Sequence, residues 1–222
     1  MLTVLLHKRI FWLMLLLAPQ VTFAEDTAIS VANRLLFATD HLKNLATDGN
    51  LVYDFKQSGS QETPIKDTIT LKLTSQDKHR QAQVLYLSGE QQLWTPTFDD
   101  PDGNPILLLF LQHDITEMQR INGGQWRHFQ KYIKLALEQS AKVENVNFDY
   151  AGQTRHGQKI GIAPYVNDPD KDRFANKAYG HKTYEFIVSS EVPGGLYRIS
   201  TWVPTAADKT SQPLSRQELV LR

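Results

Sequence analysis

PILLLFLQHDITEMQRINGGQWRHFQKYIKLALEQS, residues 105–140, interrupts a chain otherwise patterned for strands, and its reading decides the fold. Ile106 to Leu111 is the most apolar run of the chain after its first residues, and so short a run suits a buried strand as well as a helix. The continuation Ile115, Met118, Ile121 at helical steps favours a helix opening near Pro105, which Asn122, Gly123 and Gly124 stop. Trp126 to Ser140 repeats the pattern, with Phe129, Ile133, Ala136 and Leu137 on one stripe, so the two helices form a hairpin through the glycine pair.

Strand patterns lie on both sides. Upstream, Ile29, Ala32, Leu35, Leu36, Ala38 and Leu42 or Leu45 recur at helical spacing, and Asp48, Gly49 and Asn50 break the pattern. Leu51, Tyr53 and Phe55 then alternate with polar neighbours, as do Ile69, Leu71 and Leu73, and Ala82 to Leu87 reads as a third strand. Trp94 to Pro105 is turn material. Downstream come strands over 146–150, 159–163, 184–188 and 196–203, with residues 152–157 a turn, 166–180 a long loop, and 218–221 a last edge strand. The expected fold is α+β: a mostly antiparallel sheet packed against an N-terminal helix and a central helical pair. A strongly curved sheet around an apolar interior is the second form of this arrangement.

The first 24 residues place Lys8 and Arg9 before the apolar run Ile10 to Ala18, with Thr22 and Ala24 as small residues before a cut. This is the pattern of a secretion signal, too short to span a bilayer that needs roughly 20 apolar residues. The expectation is therefore a signal over residues 1–24, a single domain over 25–222, and no transmembrane anchor after processing. Processing removes two of 24 basic residues and none of 24 acidic ones, for a net charge of −2. That balance gives no general attraction to nucleic acid. The chain has no cysteine, which excludes disulfides, a thiol nucleophile and an acylated N-terminal cysteine, and points to a bacterial periplasm, or alternatively to secretion.

The secreted start, the amphipathic N-terminal helix, the strand LVYDFKQ over residues 51–57, and helices inserted midway through an antiparallel sheet resemble the periplasmic lipoprotein-carrier fold. The resemblance covers most of the mature chain in element order. It implies an incomplete barrel closed by helices, with an interior that holds acyl chains.

Candidate sites follow from residue types. Tyr53, Phe55, Phe148, Tyr150 and Phe186 on strands, with Leu109 on the first central helix, could line a site for a lipid or another apolar small molecule. The same aromatics could equally fill a core. Arg120, Arg127, Lys131 and Lys134, beside Trp126 and Tyr132, could meet an anionic membrane surface or the acidic face of an envelope protein. His113 and Glu117 lie four apart on one helix, and His128 could join them around a metal if the helices pair, though an ordinary helix surface has the same residues. Asp99, Asp100 and Asp102, and separately Asp168, Asp170 and Asp172, alternate as calcium ligands can, but without the twelve-residue spacing and its closing glutamate. No Gly-x-Ser-x-Gly elbow and no phosphate-binding glycine pattern occur, so no cofactor is expected. The reading is a non-catalytic binding or carrier protein for a hydrophobic envelope ligand. A secreted hydrolase or metal-dependent enzyme with a site near His113, Glu117 and His128, or a structural adaptor, are the alternatives.

Overall fold

A computed structural model describes residues 29–45, 48–76, 79–205 and 212–222. The expected signal lies outside them, and among the described residues no helix is long and apolar enough to cross a membrane.

Helix α1 covers Val31–Phe37. Ser30 caps it, its Oγ accepting from Asn33 N at 3.2 Å while donating to Leu137 O at 2.9 Å. The helix ends earlier than its apolar spacing predicts. The His41 ring donates to Leu35 O at 2.8 Å and the Thr39 hydroxyl donates to Arg34 O at 2.9 Å, so side chains occupy the carbonyls that a longer helix would use. Leu42 is still buried, from the turn that follows.

Strands β1 (Gly49–Ser58), β2 (Ile65–Gln76), β3 (His79–Tyr86) and the two-residue β4 (Phe98–Asp99) form an antiparallel meander. The hairpin α2 (Pro105–Asn122) and α3 (Trp126–Gln139) follows, as the 105–140 sequence predicts. Strands β5 (Lys142–Tyr150), β6 (Gln153–Ile162), β7 (Thr183–Val188), β8 (Leu196–Val203) and β9 (Ser215–Leu221) complete the sheet. Of the expected turn over 152–157, Gly152 is in the turn and residues 153–157 are strand. The chain reverses at Ala151 and Gly152, both at positive φ (50° and 75°), and Tyr150 pairs with Gln153.

The nine strands run in the order β4-β3-β2-β1-β9-β8-β7-β6-β5, with antiparallel neighbours throughout. The expected edge strand β9 is therefore central, joining the two halves. The sheet is not strongly curled, contrary to the curved alternative. Its two ends, β4 and β5, stay apart as free edges, and the helices rather than further strand pairing cover one face. On that face α2 lies against β2 and β3, α3 against β6, and α1 against β5 and α3. One continuous core fills the space between, from Leu51, Ile69 and Val84 to Ile160, Ile199 and Leu219.

Candidate functional site

Asn104 fixes where α2 begins. It is buried, and its side-chain oxygen accepts from Ile106 N at 3.1 Å while its amide donates to Tyr53 Oη and Gly194 O, each at 3.0 Å. Its own N–H donates to His41 Nδ1 at 3.4 Å, so His41 is held neutral, with its proton on the nitrogen facing Leu35. Burial lowers the His41 pKa below the ordinary imidazole value, against a weaker upward pull from the Leu35 hydrogen bond and Asp40.

Two and a half turns into α2, the helix carries Asp114 into the interior. Its carboxylate pairs with Lys182, which precedes β7, and both side chains are almost wholly buried. Tyr184 Oη donates to the same carboxylate at 2.6 Å, and Tyr165 Oη lies 3.4 Å from Tyr184 Oη. Burial, with the nearby Asp114 charge, holds both phenols well above their usual pKa. The neighbouring Tyr86 hydroxyl is buried without a hydrogen-bond partner among the described residues, and its ring lies 5.6 Å from the His113 ring. Burial lowers the pKa of His113.

The other end of the hairpin opens a cleft of about 400 Å³. Gly123 and Gly124, at φ 75° and 81°, make the turn, and Asn122 ties it to the 163–182 segment by accepting from Asn176 N at 3.3 Å. His128, in the first turn of α3, donates through Nε2 to Asp168 at 2.6 Å. Asp168 is buried, and its other oxygen accepts from Asp170 N at 2.9 Å, shaping the turn that leads into Lys171–Arg173. Arg173 pairs with Asp170 at 3.0 Å and is otherwise open to solvent. The floor is aromatic: the rings of Phe129, Tyr165 and Phe174 lie 5.7 to 5.9 Å apart. Polar groups thus ring the mouth, and the floor continues through Tyr165 into the core.

The structure separates the expected apolar set. Tyr53, Phe55 and Phe186 are on the inner face and fully buried, and Leu109 is half-buried on α2. Register puts Phe148 and Tyr150 on the opposite face, because Phe186 pairs with Ile160 and Ile160 with Val143, leaving alternate residues Val146, Phe148 and Tyr150 outward. There Phe148 stacks on Tyr197 at 4.1 Å, and Tyr150 meets the edge of that ring at 6.2 Å.

Among the basic set, Arg120 is paired with Glu117 at 2.7 Å. Arg127 lies 4.7 Å over Trp126 and Lys131 5.7 Å over Tyr132, with Lys134 exposed on the same helix. His128 does not join His113 and Glu117. Among the described residues, the group whose ligand atoms converge is His128, Asp168 and Asp170, within 4.8 Å of one another, one nitrogen and two oxygens of a kind that suits zinc. Asp172 is outside it. In the other acidic loop Asp100 accepts from the His79 ring and from Arg80 N, each at 2.7 Å, and Asp99 accepts from Gln81 at 3.0 Å. Those carboxylates serve the turn.

No protein-family model matches this chain, and no curated protein matches it in sequence. Among solved structures it is similar to the Mycobacterium tuberculosis lipoprotein LppX. The match is weak and partial: 9% identity, 78% of this chain against 84% of that one, and a TM-score of 0.32. A likeness of that extent assigns neither ligand nor activity. The pairs His128–Asp168 and Asp114–Lys182 escaped sequence reasoning, since partners 40 and 68 residues apart share no local pattern.

Proposed function

We propose that this is a non-catalytic binding protein of the bacterial envelope that takes a lipid, acylated compound or similar hydrophobic molecule at the cleft beside the α2–α3 turn. The cleft itself carries the reading. Its volume of about 400 Å³ falls in the range of roughly 300–1,000 Å³ typical of small-molecule sites, which combine apolar walls with a few polar groups. Phe129 and Phe174 offer the apolar floor, and His128 and Arg173 stand where a polar or anionic head group would sit. The signal expected over residues 1–24 supports an extracytoplasmic setting.

Native mass spectrometry of protein purified from the envelope, followed by lipid extraction, tests the proposal. A retained hydrophobic ligand and saturable uptake of a fatty-acyl probe are expected, with uptake weakened by Arg173→Ala and by Phe174→Leu. Absence of both retained lipid and saturable uptake refutes it. A metal-dependent role of the same cleft is the second reading, favoured by the convergence of His128, Asp168 and Asp170. It requires that stoichiometric zinc be found in the purified protein.

A further inference from the structure

The outward face of the sheet, away from the helices, is chemically distinct at its β1–β2–β3 end. Strand alternation places Lys56, Lys66 and Lys72 there, opposite in sense to the buried Phe55, Ile69 and Leu71. Lys56 and Lys66 are directly opposed across the β1–β2 ladder. Like charges in that position destabilise a sheet. None of the three has a carboxylate partner among the described residues. Of the acids on outward positions here, Asp54 is held by Arg222 at 2.5 Å, Asp99 accepts from Gln81 at the far end, and Glu218 of β9, opposite Lys56, is paired with Arg216 at 3.6 Å, which leaves Lys66 and Lys72 the less compensated of the three.

Beside these lysines the same face shows an indole. Trp94 is 87% exposed, and it is not displayed by a slack loop. On one side Leu93 N donates to Tyr86 O at 3.0 Å, and on the other Thr95 Oγ1 donates to Val84 O at 2.5 Å. Leu93 stands opposite the inward Tyr86, so Trp94 turns outward, next to Leu85, which is itself 46% exposed. Leu85 pairs with Thr70, between Lys66 and Lys72 along β2. The single acid of this loop, Glu90, sits in the 3-10 turn before it.

We infer that this outward face docks on an anionic phospholipid bilayer, with Trp94 and Leu85 entering the interface and Lys56, Lys66 and Lys72 meeting the head groups. A rigidly presented tryptophan fits a bilayer boundary better than a protein rim, because the indole is apolar yet carries an N–H for the head-group layer. Lysine stems can lie along that layer while their ammonium groups reach the phosphates. The site is separate from the cleft, and the inference is independent of what the cleft holds.

The test uses the exported protein and vesicles of phosphatidylcholine with or without phosphatidylglycerol, in flotation and in tryptophan emission. Binding to the anionic vesicles, weakening as salt rises, is expected, with a blue shift that Trp94→Phe largely removes. Each lysine near an anionic surface contributes about fivefold to partitioning, so Lys66→Gln with Lys72→Gln should weaken binding about 25-fold. Circular dichroism of both variants should stay unchanged, since these side chains are exposed. Equal binding to neutral and anionic vesicles, no vesicle binding, or unaltered binding by the lysine variant overturns the inference. So does capture by an acidic protein without vesicle binding.

Discussion

Replacing Lys182 with Met should be among the most damaging single substitutions in this protein. Lys182 pairs with Asp114, and the two side chains are 4% and 1% exposed. Without the ammonium, Asp114 keeps one side-chain donor, Tyr184 Oη at 2.6 Å, in a site where water does not reach. The lysine also lies 5.3 Å over the Tyr184 ring, a contact that Met replaces only in its apolar part. Breaking a buried pair from one side costs about 3–5 kcal/mol, because a charge is stranded rather than because the pair is strong. For a domain of this length that is a fall in Tm of roughly 6–20 °C. Adding Asp114→Leu removes the stranded charge and leaves the Tyr184 hydroxyl with Tyr165 Oη, at 3.4 Å, as its remaining partner, so the double variant should regain all but about 1–3 kcal/mol. Urea denaturation of wild type, both single variants and the double variant closes the cycle. A Lys182→Met cost below about 1 kcal/mol, or strict additivity of the two changes, would refute the account of the network.

Two further outcomes test the packing around α2. His41 carries a folded-state pKa lowered by burial, so as pH falls through about 6.5 the unfolded chain takes up the proton first; stability present above that pH should decline down to the folded value, and His41→Gln should flatten the slope of the urea midpoint between pH 7.5 and 5.5. His113, also lowered, adds in the same direction and remains in the variant. Gly194→Ala should cost about 2–5 kcal/mol, since φ is +71° and the new methyl would stand 2.2 Å from Leu51 Cδ1, whereas Gly161→Ala, with open space at that point, should cost under about 1 kcal/mol in the same denaturation assay.

What could be read from the sequence was what is local. The helical spacing of Ile115, Met118 and Ile121, the Gly123-Gly124 stop and the alternation of Leu51, Tyr53 and Phe55 each depend on neighbours a few residues away, and each became the expected element. The face that a strand presents is not local. Val146, Phe148 and Tyr150 alternate as cleanly as Leu51, Tyr53 and Phe55, yet they point outward, because the β5–β6–β7 register decides the side and that register is set by the two-residue turn at Ala151 and Gly152. The place of β9 was hidden for the same reason: strand order is a matter of which edges meet, and Glu218 to Leu221 carries no mark of its central position.

The filled interior also bears on where a ligand could sit. Tyr53, Phe55, Phe186, Ile199 and Leu219 are buried to within 2% of their surface by one another and by the helices. Apolar area already removed from water stabilises the fold at roughly 25 cal/mol per Å². A molecule inserted among these side chains would have to separate them and move Asp114 from Lys182, losing packing and a buried ion pair together. At the cleft no such exchange is required. Phe129 and Phe174 are packed against Tyr165 and are themselves buried, and the cleft in front of them is bounded by His128, Asp170 and Arg173. An apolar group that enters there would meet the edges of these rings without opening the core, and its polar end would stay among groups that can hydrogen-bond it. The aromatic residues that sequence alone would assign to a pocket therefore divide between the filled core and the outward face of the sheet, and the proposed binding surface is the turn of the helical hairpin with the acidic segment that His128 holds against it.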